Sequence, residues 1–410
     1  MKNNWQSLDL REFSRLTAGG TPSTNKKEYW SNGKIPWLSS GEVHKKRIHN
    51  ADGYITEEGL KNSAAKIIPK KTLLVALAGQ GKTRGAVAIT EIETTTNQSI
   101  AGIIVDKEIC NPDYLFFNLE SRYEILRSIS GGSGRAGLNL EILGNLDISL
   151  PPLLEQKKIV SILTSVDDVI EITQNKIDKL QNLKKAIINE LMTQGIGHTE
   201  FKESELGRIP KNWEVSTIGK ILVKIIDNRG KTPPLSEEGR ELIELASISK
   251  SQRFLNYNNS KKRVNEEIYK NWFRNGHPQI GDILVPTVGL IGECSIVSED
   301  RGCIAQNVIA LRCSDKLLSN YLYWLMYSKY VLLEINRVLM GAVQPSLKVP
   351  HLLETRIPIP PVDEQVKIFE TLNVIENSVI DNQKKIVSFK YLKKSLMQNL
   401  LTGKVRVKVN

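Results

Sequence analysis

The chain has 410 residues, 40% of them hydrophobic and 25% charged, a balance that suits a folded protein of two or more domains and excludes a disordered one. Lys plus Arg exceed Asp plus Glu by 11, a surplus compatible with a polyanionic partner and equally with a solvated basic surface. The polar start MKNNWQSLDLREF has no signal-peptide pattern, and no apolar run approaches the roughly 18 residues that span a bilayer, so a cytoplasmic protein without a membrane role is expected.

From Trp5 to about residue 150, short β-branched runs broken by glycine (KTLLVAL, GAVAIT, AGIIV) predict strands of a mixed α/β domain. Among them ALAGQGKT, residues 76–83, stands one residue from a phosphate-binding loop, with Ala76 where the first Gly belongs. Such a loop needs a helix directly after its Lys-Thr, so that the amide dipole faces the phosphates. The following RGAVAIT reads as a strand, which predicts a hairpin tip carrying Gln80, Lys82 and Arg84. Further on, NPDY at residues 111–114 is one residue from the N-P-P-Y with which amino-methyltransferases hold a flipped adenine. No Gly-rich cofactor loop accompanies it, and a helix start with Pro112 ahead of YLFFNL is the simpler reading. The four cysteines (Cys110, Cys294, Cys303, Cys313) form no C-x-x-C pair and the five histidines no H-E-x-x-H, so a metal site has little support.

At Leu150 begins LPPLLEQKKIVSILTSVDDVIEITQNKIDKLQNLKKAIINELMT, and at Ile359 IPPVDEQVKIFETLNVIENSVIDNQKKIVSFKYLKKSLMQNLLT. The two align without a gap at a constant offset of 209, matching Pro151/Pro360, Glu155/Glu364, Gln156/Gln365, Ile159/Ile368 and Leu163/Leu372. The chain is an internal duplication. The Pro pair stops the preceding strand and sets the entry to a helix predicted over about residues 159–193, about 50 Å at 1.5 Å per residue. Val166, Ile170, Thr173, Ile177, Leu180, Lys184, Ile187 and Leu191 recur at steps of four and three. Ile375, Val379, Asn382, Ile386, Phe389, Lys393, Leu396 and Leu400 repeat those steps, the 3.5-residue period of a coiled-coil seam. Two amphipathic helices on separate cores are the alternative to a pair packed on each other. Polar Thr173/Asn382 and Lys184/Lys393 are placed to fix register, and Gly195, Gly197 and Gly403 to end the helices.

The connection GIGHTEFKESELGRIPKNWEV leads into a fainter copy of the first region. Trp213 answers Trp5, RGKTPP answers GGTPS, DILVPTVG answers TLLVALAG, AQNVIAL answers NQSIAGI, and SNYLYWLM answers PDYLFFNL, pairing Tyr321 with Tyr114. Gly289 and Gly292 align with Gly79 and Gly85, but the Gly-Lys-Thr is missing, a further mark against a nucleotide site. Polar loops at matching places carry side chains that bond base edges and phosphates. They are Thr21, Ser23, Ser39, Ser40, Gln80, Lys82, Arg84 and Arg135 in the first half, and Arg229, Lys231, Thr232, Ser247, Ser249, Thr287 and Gln344 in the second. Singly each is also what a solvated loop carries; as a duplicated set they read as two related recognition surfaces.

The Trp near each start, the T-P-S loop, DILV…G…G, Q-N-x-I-A, and above all P-P-x-x-E-Q-x-x-I opening a heptad helix twice, resemble the specificity subunit of type I restriction–modification systems over essentially the whole chain. The N-terminus departs in lacking the GRIPKNW lead-in, though KNNW keeps its end. The resemblance implies an α/β fold of α+β type: two similar mixed α/β target-recognition domains separated by an antiparallel coiled coil of two long helices, pseudo-twofold through duplication. The expected division is residues 1–150, first recognition domain; 151–197, first spacer helix; 198–358, linker and second recognition domain; and 359–410, second spacer helix and tail. It further implies double-stranded DNA as ligand, one half-site per domain, with the helices holding the half-sites roughly 10–15 base pairs apart. Two methyltransferase subunits using S-adenosylmethionine, and restriction–translocase subunits using ATP and Mg2+, are the implied partners. This chain itself is implied to be non-catalytic, without cofactor or metal, and associated with a prokaryotic nucleoid. A self-sufficient DNA adenine methyltransferase and an adaptor coiled coil without nucleic acid are the other readings.

Overall fold

Each half opens by pairing its first strand with the strand just ahead of its long helix: Gln6–Asp9 runs antiparallel to Asp147–Leu150, and Glu214–Thr217 to Arg356–Ile359. The computed structural model describes residues 5–79, 81–129, 138–248, 253–339 and 346–408. The sheets between those paired strands are also duplicated. In the first half the strand order is Ser14–Ala18, Ile100–Val105, Leu73–Ala76, Val87–Thr90, Arg47–Ile48. In the second it is Leu222–Ile226, Val308–Cys313, Ile283–Pro286, Ser295–Ile296. A three-stranded sheet accompanies each, with one antiparallel and one parallel neighbour about Ile35–Leu38 and about Arg240–Ile243. The inner strands Leu73–Ala76 and Ile283–Pro286 are buried at every residue, hence their unbroken apolar runs.

Leu73–Ala76 pairs antiparallel with Val87–Thr90, so Ala76 ends a strand and Gly81 and Lys82 lie in a turn, with no helix among the described residues there to meet a phosphate. NPDY starts a helix, α1 (Pro112–Ser121). Asn111 is its N-cap, accepting from the amides of Asp113 (2.9 Å) and Tyr114 (3.2 Å), and Pro112 fills the first turn, where no amide is needed. Tyr114 is buried, its hydroxyl donating to Ser149 O at 2.8 Å, so it is unavailable to stack on a base.

The long helices are α2 (Leu153–Gln194, 42 residues) and, after the short α3 (Ser319–Met326), α4 (Val362–Leu400, 39 residues). They are longer than the sequence predicts because helix begins directly behind the prolines: Gln156 N–H already donates to Pro152 O at 3.0 Å. P-P-x-x-E-Q is therefore a first-turn motif, and its Gln is a clasp. Gln156 accepts the Asn111 amide (2.7 Å) and donates to the carbonyls of Ile109 (3.0 Å) and Pro151 (2.8 Å). Gln365 does the same to Leu318 N (2.9 Å), Lys316 O (2.8 Å) and Pro360 O (2.9 Å). Both are fully buried and knit the long helix to the start of α1 or α3.

The Glu of the motif closes a second ring. Glu364 accepts Trp213 Nε1 at 2.9 Å and meets His198 Nε2 at 2.7 Å; Glu155 accepts Trp5 Nε1 at 3.3 Å and is gripped by Arg406 through two bonds of 2.7 Å. Gly195, with φ +64, ends α2 where a Cβ would come within 2.4 Å of Glu364 Oε1, so no other residue fits.

The chain divides into two compact units, Met1–Gln174 with Lys384–Asn410, and Asn175–Gln383. Each contains one recognition-type domain and a stretch of both long helices. In the first, Ile159 and Leu163 of α2 share a core with Met397, Leu400 and Leu401; in the second, Ile188 and Met192 share one with Ile368 and Leu372. Early residues of one helix meet late residues of the other in both, so the pair is antiparallel. Of the predicted seam, Ile177, Val379, Ile386 and Leu400 are buried, and Val166, Ile170, Leu180, Ile187, Leu191, Ile375, Phe389 and Leu396 half-buried. The seam lysines are twin nodes. In the first unit Lys393 contacts Asp167 (2.8 Å) and lies over the Phe117 ring; in the second Lys184 contacts Glu376 (3.6 Å) and lies over Trp324. Thr173 and Asn382 bond backward to their own helices, at Val169 O and Ser378 O.

Candidate nucleic-acid interface

In the first unit, the loop behind Ser14–Ala18 is held rigidly. A Cβ on Gly19 would lie 2.0 Å from Thr96 O, Gly20 N–H donates to that same oxygen at 2.8 Å, and Trp37 Nε1 donates to Gly20 O at 3.0 Å. This presents Thr21, which is exposed and donates to Gln98 Oε1 at 2.6 Å. Ser23 is exposed on the same loop and its carbonyl accepts Trp30 Nε1 at 3.1 Å. Ser39 and Ser40 are half-buried, and Ser39 is the N-cap of a short 3-10 helix, Ser40–Lys45, in a capping box with buried Glu42. Lys82 is exposed on the hairpin turn, its carbonyl accepting Tyr123 Oη at 2.9 Å, and Arg84 beside it is half-buried.

The second unit repeats the pattern with other side chains. Behind Leu222–Ile226, buried Asn228 anchors the loop to Gly276 O (2.9 Å) and the Asn275 amide (3.0 Å). Arg229 grips Asp227 through bonds of 2.8 and 2.7 Å and thereby holds that carboxyl below its usual range against the opposing effect of burial. Arg229, exposed Lys231, Trp272, Arg274 and Asn275 line a cleft of about 640 Å³. Thr232 is exposed and accepts from Gln306 Nε2, matching Thr21 with Gln98.

Two expected contacts are corrected. Ser247 is fully buried, its hydroxyl shared with Ser260 at 2.7 Å; Thr287 is 3% exposed, its backbone bonded to Asn307 and Leu347. Packing consumes both. Gln80, Arg135, Ser249 and Gln344 lie outside the described residues. Gln98, Gln306, Trp272 and Arg274 stand beside the expected residues and were not singled out from the sequence. A signal was available: TEEGLKN at Thr56 and NEEIYKN at Asn265 stand at the same offset of 209, each capping a short helix through Thr56 or Asn265, and the second leads straight into Trp272 and Arg274.

Burial raises the Cys110 and Cys303 thiols to about 12 and that of Cys313 to about 11, the state of inert core thiols rather than nucleophiles. Among the described residues no helix is long and apolar enough to cross a membrane.

Two copies of one mixed α/β domain, each presenting an anchored Thr-Pro loop and each packed in its own unit with a stretch of both long helices, define a protein of duplicated modules. The family model for the type I restriction modification DNA specificity domain matches residues 2–182 and again 210–388. The chain belongs to that family: it is a specificity subunit of a type I restriction–modification system, with two target-recognition domains. It is 26% identical, over 99% of its length and 94% of the relative's, to the type I restriction enzyme MjaVIII specificity subunit of Methanocaldococcus jannaschii. Over 40% of each chain it is 32% identical to the EcoR124I/EcoR124II specificity subunit of Escherichia coli. In fold it is similar to a chain solved in a study of complex assembly and conformational transition of the type I R-M system (TM-score 0.61, 16% identity, 97% of each chain). It is also similar to the type I S subunit from M. genitalium (TM-score 0.57, 16% identity, 97% of this chain and 96% of that one).

Proposed function

We propose that this subunit reads a bipartite sequence in double-stranded DNA, one half-site per recognition domain, and performs no catalysis itself. The observation that carries this is the duplication: one domain built twice, with a shared Thr–Gln pair and with other side chains that differ, such as Trp272 and Arg274 against Ser63 and Ala65. The two stretches that suggested chemistry adjoin a strand pairing and a helix cap, which supports assigning methyl transfer and ATP hydrolysis to other chains. Those partners are two methyltransferase subunits bearing S-adenosylmethionine and restriction–translocase subunits using ATP and Mg2+, acting in the cytoplasm at the nucleoid. The long helices set the gap between half-sites, and their outward residues, including exposed Ile172, Val374 and Tyr391, offer docking area.

The test is a graft. Residues 214–358 are replaced by the corresponding segment of a relative, the chimera is expressed with its methyltransferase partner, and methylated sites are mapped by single-molecule sequencing. Only one half of the motif should change. A change in both halves, or in neither, refutes one domain per half-site; methyl transfer by the purified chain alone refutes the non-catalytic assignment.

A further inference from the structure

Most exposed loop residues differ between the domains, but one polar pair is built twice. Thr21 with Gln98 and Thr232 with Gln306 join the loop behind the domain's first sheet strand to the loop ahead of the next strand, Ile100–Val105 or Val308–Cys313. All four side chains are exposed. We propose that this Thr–Gln pair is each domain's grip on the DNA sugar–phosphate backbone, the Gln amide being the contact and the Thr its holder. The proposal rests on the DNA-reading function above.

The two half-sites of a bipartite target differ in bases and share only the backbone. An element common to both domains belongs with the common feature of the ligand, and elements that differ belong with the bases. Trp272 and Arg274 fall in the second class: their counterparts at the 209 offset are Ser63 and Ala65. The pair also has the rigidity that a positioning contact requires. Gly19 and Gly20 pin one side in the first domain. Gln306 is held at φ +53, a conformation non-glycine residues rarely adopt unless their surroundings impose it. A Gln bonded to Thr through one amide atom keeps further N–H donors for a phosphate oxygen. Cations flank it: Gln306 lines a cleft of about 460 Å³ with Arg229 and Lys348, and a second of about 230 Å³ with Lys262. In the first domain Lys26 and Lys27 follow on the same loop as Thr21.

Gln98→Glu and Gln306→Glu separate this role from a structural tie. At Gln98 the glutamate accepts the Thr21 hydroxyl proton as the amide oxygen does; at Gln306, whose amide donates to Thr232, the Thr232 hydroxyl turns to donate instead, so both loops stay held while a negative charge faces the phosphates. In the full chain co-purified with its partner methyltransferase, and with a duplex carrying its methylation motif, each substitution should weaken binding about tenfold and the pair about a hundredfold near 0.1 M salt. The melting temperature and the methylated motif should stay unchanged. Thr21→Val with Thr232→Val cuts the tie without adding charge and should cost less than about threefold. Wild-type affinity in the double Glu variant, an altered motif, or an equal loss in the Val pair each overturns the proposal. A wild-type complex that binds no duplex overturns the DNA-reading function along with it.

Discussion

Replacing Lys393 by Met tests whether the seam lysines hold the domains to the helix pair. The Lys393 ammonium lies 2.9 Å from Glu120 of α1 and 2.8 Å from Asp167 of α2, and its side chain is 10% exposed. Methionine preserves most of the packing of the stem and removes only the charge. Burial pushes the Glu120 carboxyl up, but Lys393 and Lys46 outweigh it and hold that carboxyl below its usual range; without Lys393, Lys46 acts alone. Two charge-assisted bonds are lost, less what water returns to one-third-exposed Asp167, a cost of about 2–3 kcal/mol. Lys184 is the equivalent residue of the other unit, yet its node is looser. Its acid stands 3.6 Å away and its side chain is 25% exposed. Burial holds the Glu376 carboxyl above its usual range, with Lys184 and Arg253 only partly offsetting it, so Glu376 can take up a proton once the lysine is gone. Lys184→Met should then cost about 1 kcal/mol. Equilibrium urea unfolding of the full chain at pH 7, with both units followed, measures the two. Equal costs, or a larger cost for Lys184→Met, would refute this account of the nodes.

Gln365→Leu strands the Leu318 amide and the Lys316 and Pro360 carbonyls and should destabilise by about 2–4 kcal/mol, with Gln156→Leu equal to within about 1 kcal/mol; calorimetry checks both. Because the folded Glu376 carboxyl binds its proton more tightly than the unfolded one, its contribution to stability is fullest in acid and is lost as pH rises above about 4.5 through the raised folded value. Urea midpoints of wild type relative to Glu376→Gln should accordingly improve as pH falls from about 7 to 5, and a flat or opposite trend contradicts the buried carboxylate. Inserting four residues into both helix seams displaces the domains by about 6 Å and should change the unspecified gap of the methylated motif by one or two base pairs, read by methylome sequencing.

The duplication was legible because a fixed offset of 209 needs no structural knowledge, and the heptad steps named the seam for the same reason. Helix starts were less so: Glu155 and Gln156 look like linker until their partners, Trp5 and Asn111, are seen to come from distant parts of the chain. Lys184 and Lys393 were visible as polar seam positions, but the acids and aromatic rings they meet are not local to them. The loop contacts were least legible. Ser247 and Thr232 look alike in sequence, and only packing buries one and exposes the other.

The split of the chain between its units bears on the order in which they form. The unit holding the second recognition domain is one continuous segment and has all its residues once Gln383 has left the ribosome. The first-encoded unit still lacks residues 384–410, which bring Lys393 to Glu120 and Arg406 to Glu155. The domain translated first is thus the last to be completed, and it must persist with an open flank through most of synthesis. A frameshift or nick just after Gln383 would therefore damage the unit formed by residues 1–174 and leave the residues of the other unit intact.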